Sequence, residues 1–501
     1  MKKRILSLAL CLLVLLMPCI AVQVSAAQPD RGFIYDSADM STNNAVPSTN
    51  TYQVEMIVNE TVMGTTRMKN PTSLFVDSED RIFVMDSGNS RILILNDKFQ
   101  CISQLKDFRY DGGIIHLAAG AQDMFFRESN QRLYIADTEN NRILVSDLKG
   151  NVSKIYEKPV DELLDATVEY KPTKVIVDNM GIMYVLSANV NTGAMMVDSA
   201  NNFLGFYGTN KIKMSARVAL EYWWRSILTD AQNALSTESF QPVQFNNIFW
   251  TEDRFVYAVS PLSEELESSV VKLNALGENV FPSTNPIQFK NTVLKAGEAV
   301  PMHLSDITVE DDGVVTILDM VTGKLYQYDE DCNLLCAFGG IGYQEGLYTQ
   351  PVSLEHTSSG QLLVLDTVKA TITVMEKTFY GEQIRKANSL YNQGLHTESM
   401  SSWNEVLRMN ANYYLAYVGI GKAYMSMGKY EEAMEYFELG QDKELYADAK
   451  LLKRNEFFRS NFAVIATVVV VLLVYVLGYD FFKARYYDIT YFIKHRRKGG
   501  S

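Results

Sequence analysis

The sequence predicts a mainly β body, a β-propeller of six blades with seven as the alternative, followed by an α-helical segment and one membrane-spanning helix. Three observations predict it. Short apolar strands separated by polar turns recur at intervals of about fifty residues between residues 51 and 380. After Gly381 the apolar spacing changes from two to the helical period, and a second repeat begins. Residues 462–482 are then almost wholly apolar.

The β repeat is clearest in two copies. Residues 70–97 hold Leu74-Phe75-Val76, a polar turn, Ile82-Phe83-Val84, then Asp86, Asn89 and Arg91, and a third strand from Ile92 to Leu95. From Ala121 the same order returns as Met124-Phe125-Phe126, Leu133-Tyr134-Ile135, Asp137, Asn140, Arg142 and Ile143 to Val145. Weaker copies begin at Lys171, with Ser187 in place of the aspartate, and around Asn246, with Ser260 there. Clearer ones begin at His303, carrying Asp319, and at Gln350, carrying Asp366. Four-stranded sheets of this size cannot stand alone and bury their faces against neighbours, as radial blades do. The strand at residues 52–58 precedes the first full copy, so it is expected to complete the last blade and close the ring.

The segments Asp86-Ser87-Gly88-Asn89-Ser90-Arg91-Ile92 and Asp137-Thr138-Glu139-Asn140-Asn141-Arg142-Ile143 resemble the D-x-x-N-x-R-I signature of NHL repeats. The resemblance implies that the Asp and Arg tie the loop between blade strands, a structural role. It covers roughly residues 51–380, is partial at Asp319 and Asp366, and is lost in the third and fourth copies.

Two additions depart from the ring. Residues 209–240 form an insert that reads as a helix, with the cluster Tyr222, Trp223 and Trp224 as a candidate partner contact. In residues 381–446, Ala387, Gly394 and Trp403 recur 34 positions later as Gly421, Gly428 and Phe437. Gly421, Tyr424, Gly428, Tyr430, Ala433 and Phe437 resemble a tetratricopeptide (TPR) repeat, preceded by a degenerate first unit with Ser399 where alanine is usual. That resemblance implies a protein-binding surface, with Tyr424 and Tyr430 as its candidate contacts. A juxtamembrane helix is expected at 447–461.

The ends place the chain. Lys2, Lys3 and Arg4 precede an apolar run and the small residues Ser25, Ala26 and Ala27, the pattern of an export signal over 1–26. A linker is expected at 27–50. Residues 462–482 supply the roughly twenty apolar residues a bilayer core requires. Lys483, Arg485, Lys494, Arg496, Arg497 and Lys498 follow in a basic tail, 483–501. Export followed by one span puts the body outside, the tail in the cytoplasm and the protein in the cell membrane.

Composition excludes several functions. The formal net charge is −13, and without the three signal cations 43 basic residues face 59 acidic ones. No basic footprint for nucleic acid exists. Outside the signal only Cys101, Cys332 and Cys336 remain, too few for a disulfide framework. Five scattered histidines show no metal-ligand spacing, and no nucleophile elbow, zinc-protease or phosphate-loop motif is present. The expectation is a recognition or scaffold protein without a cofactor, binding a protein partner through propeller and TPR surfaces, with any small ligand unspecified. An exported NHL body with TPR units and one span is similar to bacterial proteins, some of which accompany solute-uptake systems, and this implies an uptake or envelope complex as partner. The alternative is a metal-dependent, lactonase-like propeller hydrolase.

Overall fold

Each repeat folds into an antiparallel sheet because its first three strands are apolar on both faces and its turns are polar. In the computed structural model the described residues are 33–35, 45–161, 163–164, 167, 169–208, 244–262, 268–282, 287, 292–295 and 298–496. The signal segment and the whole 209–240 insert, including Tyr222, Trp223 and Trp224, lie outside them.

Blade 1 comprises Ser73–Val76, Ile82–Asp86, Arg91–Leu95 and Cys101–Leu105. Blade 2 comprises Asp123–Arg127, Arg132–Asp137, Arg142–Ser146 and Val152–Tyr156. Blade 3 comprises Lys171–Val177, Met183–Ala188, Ala194–Val197 and Phe203–Tyr207. Three strands are described for blade 4: Asn247–Trp250, Val256–Val259 and Val270–Leu273. Blade 5 comprises Leu304–Val309, Val315–Asp319, Lys324–Tyr328 and Leu334–Gly339. In the segment expected as a linker, Phe33–Tyr35 pairs with Ala45–Pro47 and extends the edge of this blade. Blade 6 comprises Pro351–His356, Leu362–Asp366 and Thr371–Lys377, and its fourth strand is Tyr52–Val58 from the start of the body. Their pairing runs from Ile372 opposite Val58 to Lys377 opposite Tyr52, so the ring closes as the sequence predicts, with six blades.

Six separate apolar cores lie between blades, one at each interface. Phe83, Met85, Ile92 and Ile94 of blade 1 meet Met124, Phe126 and Ile135 of blade 2. Val58, Leu365 and Ile372 of blade 6 meet Leu74, Val84 and Leu93 of blade 1. The other four interfaces are filled in the same manner. Fully burying one such side chain is worth about 1.5–3 kcal/mol. The ring is therefore held by packing around its whole circumference, without a disulfide: Cys101, Cys332 and Cys336 are all free thiols.

The chain divides into two compact units, Met1–Thr378 and Phe379–Ser501. In the second, helices α1 (Phe379–Asn392), α2 (His396–Met409), α3 (Tyr414–Ser426), α4 (Tyr430–Leu439) and α5 (Lys443–Ser460) pack each on the next. Close approach requires glycine at two places: a Cβ on Gly419 would lie 2.3 Å from the Trp403 ring and one on Gly421 2.7 Å from Phe437. Helix α6 (Phe462–Arg496) continues well past the expected span. Its most apolar eighteen-residue window averages a mean hydropathy of 2.7 with none of it buried, which makes it long and apolar enough to cross a membrane.

Candidate functional site

The aspartates of the repeat motif close loops. Arg91 Nε donates to Asp86 Oδ2 at 2.6 Å, and Asn89 Nδ2 donates to the same oxygen at 2.8 Å. Arg142 Nε and Asn140 Nδ2 each donate to Asp137 Oδ2 at 2.8 Å. Asp319 and Asp366 have no arginine partner in the motif. Asp319 accepts instead from the backbone N–H groups of Val321 and Thr322 and from the Thr322 hydroxyl. Asp366 accepts from the N–H groups of Val368 and Lys369. One bond is common to five blades: the motif side chain accepts from a backbone N–H where the chain enters the blade. The donors are Lys69, Ala118, Lys171, His303 and Thr349, and the third blade uses Ser187 Oγ.

Register then locates a second set of residues, on the innermost strands. Opposite the residue before each motif position stand Ser73, Asp123, Lys174, Asn247, Asp306 and Ser353, one per blade. All six are polar. They follow from the sequence by a constant offset, thirteen positions before the motif residue (fourteen in blade 2), but motif matching alone does not reveal them.

These residues bond from blade to blade. Asp123 Oδ1 accepts from Ser73 Oγ at 2.7 Å and from Lys174 Nζ at 3.1 Å, and its Oδ2 accepts from Val175 N at 3.1 Å. Asp306 Oδ1 accepts from Asn247 Nδ2 at 2.6 Å and Ile307 N at 2.9 Å. Its Oδ2 accepts from Ser353 Oγ and Leu354 N, both at 2.8 Å. Asp123 thus ties blades 1, 2 and 3, and Asp306 ties blades 4, 5 and 6. Leu74 N donates to Ser353 Oγ at 3.0 Å and joins blade 1 to blade 6.

Two positions further along the strands, Phe75 and Phe125 meet edge to face at 5.3 Å. At the same level in blades 5 and 6, Thr308 Oγ1 lies 3.3 Å from Glu355 Oε2 and 2.7 Å from His356 Nδ1. Burial and the neighbouring Asp306 carboxylate push the Glu355 carboxyl up to about 8. Burial likewise raises Asp306, against the pull of Lys174 and its hydrogen bonds. Burial opposes the charge on Lys174, but Asp123, Asp306 and Glu355 together hold its ammonium above the usual range. The lysine is the counter-ion of this cluster.

Every oxygen of Asp123 and Asp306 already accepts from a protein donor, so the arrangement works chemically as a clasp. Among the described residues no group of three or more His, Cys, Asp or Glu is placed to hold a metal ion. In the helical unit, Tyr424 stacks obliquely on Tyr436 at 5.3 Å, with the Lys429 ammonium 5.7 Å from its ring, and Tyr430 stands half-buried at the start of α4.

No protein-family model matches the sequence and no curated protein matches it. Among solved structures the chain is similar to a streptogramin B lyase (TM-score 0.39, 10% identity, 65% of this chain and 98% of that one). It is also similar to the WD40 propeller domain of Doa1 (TM-score 0.37, 8% identity, 66% and 98%). A third is the extracellular domain of a one-component system from B. thetaiotaomicron (TM-score 0.33, 11% identity, 61% and 32%). At these scores the likenesses carry nothing about chemistry.

Proposed function

We propose that the chain is a membrane-anchored extracytoplasmic recognition or scaffold protein that binds a protein partner, such as a solute-uptake or envelope complex, through its propeller and TPR-like helices. The observation that carries this reading is the set of seven hydrogen bonds that Asp123 and Asp306 accept from protein donors, which turns the inner-strand carboxylates into blade ties. A channel hydrolase turns its carboxylates toward a metal or water, whereas of the roughly four acceptor sites on each carboxylate Asp123 gives three and Asp306 four to the fold. Helix α6 supports the anchor, because its apolar surface is unburied, and the export pattern in the N-terminal sequence supports a body outside with the basic tail in the cytoplasm.

The test is affinity capture of the full chain from gently solubilised native membranes. Trp223→Ala/Trp224→Ala and Tyr424→Ala/Tyr430→Ala variants run in parallel. A defined partner recovered with wild type and lost with either variant supports the reading and locates the surface. An empty capture, together with a melting point raised by divalent metal, moves the assignment to the hydrolase, because a ligand that binds only the folded state stabilises it.

A further inference from the structure

The outer strand of blade 5 differs from the other outer strands described. Each of these strands carries one bulged residue, at Ile102, Ser153, Leu204, Leu335 and Glu55 in blades 1, 2, 3, 5 and 6. Ile102 is 57% and Leu204 48% exposed, and Ser153 and Glu55 are exposed too, whereas Leu335 is 1% exposed. Its neighbours Leu334, Cys336, Ala337 and Phe338 are buried as well. Among the described residues, blade 5 is also the blade whose sheet continues past its outer strand. It runs on through Phe33–Tyr35 to Ala45–Pro47, with Phe33 opposite Ala337.

Outer strands are templates on which another strand can add, and polar or charged side chains discourage the addition. Blades 1, 2 and 6 carry Gln104, Lys154 and Glu55 on this strand. Blade 3 is apolar there but holds Gly205 at a φ of 134°, where the strand bulges. Blade 5 reads Leu334-Leu335-Cys336-Ala337-Phe338-Gly339, with no such guard.

We propose that this edge is a β-strand acceptor site, filled here by the chain's own residues 33–35 and open by exchange to an extended apolar segment of a protein partner. The site rests on the recognition reading above and gives the partner a place and a mode of binding. In strand addition the backbone bonds supply affinity and alternate side chains supply specificity. The chain's own strand shows what fits: Phe33, Ile34 and Tyr35 are aromatic or β-branched and carry no charge. Its two added strands are three residues long against six in the blade, so a longer incoming segment makes a longer ladder. A tethered strand competes at a roughly millimolar effective concentration. A partner already held at a second surface of the chain acts at a similar one, so the two can exchange.

The experiment measures binding of a fluorescent peptide with the sequence of residues 31–48 to the full chain in detergent. Two variants free the edge: deletion of residues 33–47, and Phe33→Pro/Ile34→Pro, which keeps the segment but removes its backbone donors. The expected result is binding to both freed chains and at least about tenfold weaker binding to wild type, whose own strand competes. A peptide carrying the two prolines should bind neither. Leu335→Glu in a freed chain should weaken binding by about tenfold or more while leaving its melting point in place, since blade 6 carries Glu55 at the same position. No binding to the freed chains, or equal binding to wild type, overturns the acceptor site. Loss of a cooperative melting transition in both freed chains also overturns it, by making the added strands part of the blade's fold. Wild-type dimers that Leu335→Glu dissolves overturn the partner in favour of a second copy. Capture from native membranes keeps the two readings apart. A partner held equally by wild type and Leu335→Glu overturns the edge and spares the recognition reading. An empty capture beside tight peptide binding does the reverse.

Discussion

Asp306→Ala tests the clasp directly. The carboxylate accepts from Asn247 Nδ2, Ile307 N, Ser353 Oγ and Leu354 N, and it is 4% exposed. Each buried donor left without an acceptor costs about 1–3 kcal/mol, and these losses do not add fully because the donors share one site. Breaking a buried charge cluster typically costs about 3–5 kcal/mol, which sets the expected loss for alanine. Asparagine keeps one carbonyl oxygen and serves two of the four donors, so Asp306→Asn is expected to lose about 1–3 kcal/mol. At roughly 2 °C per kcal/mol for a body of this size, the alanine variant melts about 6–10 °C below wild type. Scanning calorimetry of the full chain in detergent measures this, with the exposed turn residue Asp311→Ala as the control that should barely move. An Asp306→Ala melting point within about 1 °C of wild type would refute the reasoning, since four orphaned donors cannot cost so little.

Glu355 adds a pH dependence. Its folded-state carboxyl titrates at about 8, above the unfolded value, so the folded form holds the proton more tightly and stability falls as pH rises from the ordinary carboxylate range towards 8. Glu355→Gln should flatten that slope, gaining on wild type as pH rises; melting points across pH 5–8 check it, and parallel profiles for the two proteins count against the shift. Arg91→Ala should cost more than Arg142→Ala, about 3 kcal/mol against roughly 1–2, because the Arg91 side chain is 8% exposed and that of Arg142 19%. Chemical unfolding of both variants gives the order, and the reverse order contradicts it. Gly419→Ala should destabilise the helical unit by about 1–3 kcal/mol through overpacking against Trp403. Limited proteolysis should then cut faster within residues 379–460 while the propeller stays resistant; equal resistance throughout would show that the Trp403 ring yields freely.

The local grammar of the chain was legible because it is local. The short apolar runs within Ile82–Asp86 or Leu362–Asp366, the turn residues between strands, and the shift to helical spacing after Gly381 depend on neighbours a few positions apart. Six blades followed from counting copies, and Tyr52–Val58 as the closing strand from the missing fourth strand of the last copy. The partners of the motif aspartates were only half legible. Arg91 and Arg142 stand five residues away in sequence, but the backbone donors Lys69, Ala118, His303 and Thr349 lie a loop and a strand earlier. The inner-strand clasp escaped motif reading altogether. Ser73, Asp123, Lys174, Asn247, Asp306 and Ser353 are of four residue types and 47 to 73 positions apart, and individually each looks like an ordinary polar residue in a strand.

By itself, then, the sequence determined the repeat, its period and the change from strand to helix, since strand and helix formation answer to spacing and propensity within a few residues. Which polar side chains face one another was decided only by closing the ring. Closure brings six distant strand starts within hydrogen-bond reach, and burial there makes every unsatisfied donor or unpaired charge costly enough that serine, lysine, asparagine and aspartate must find each other across blade boundaries.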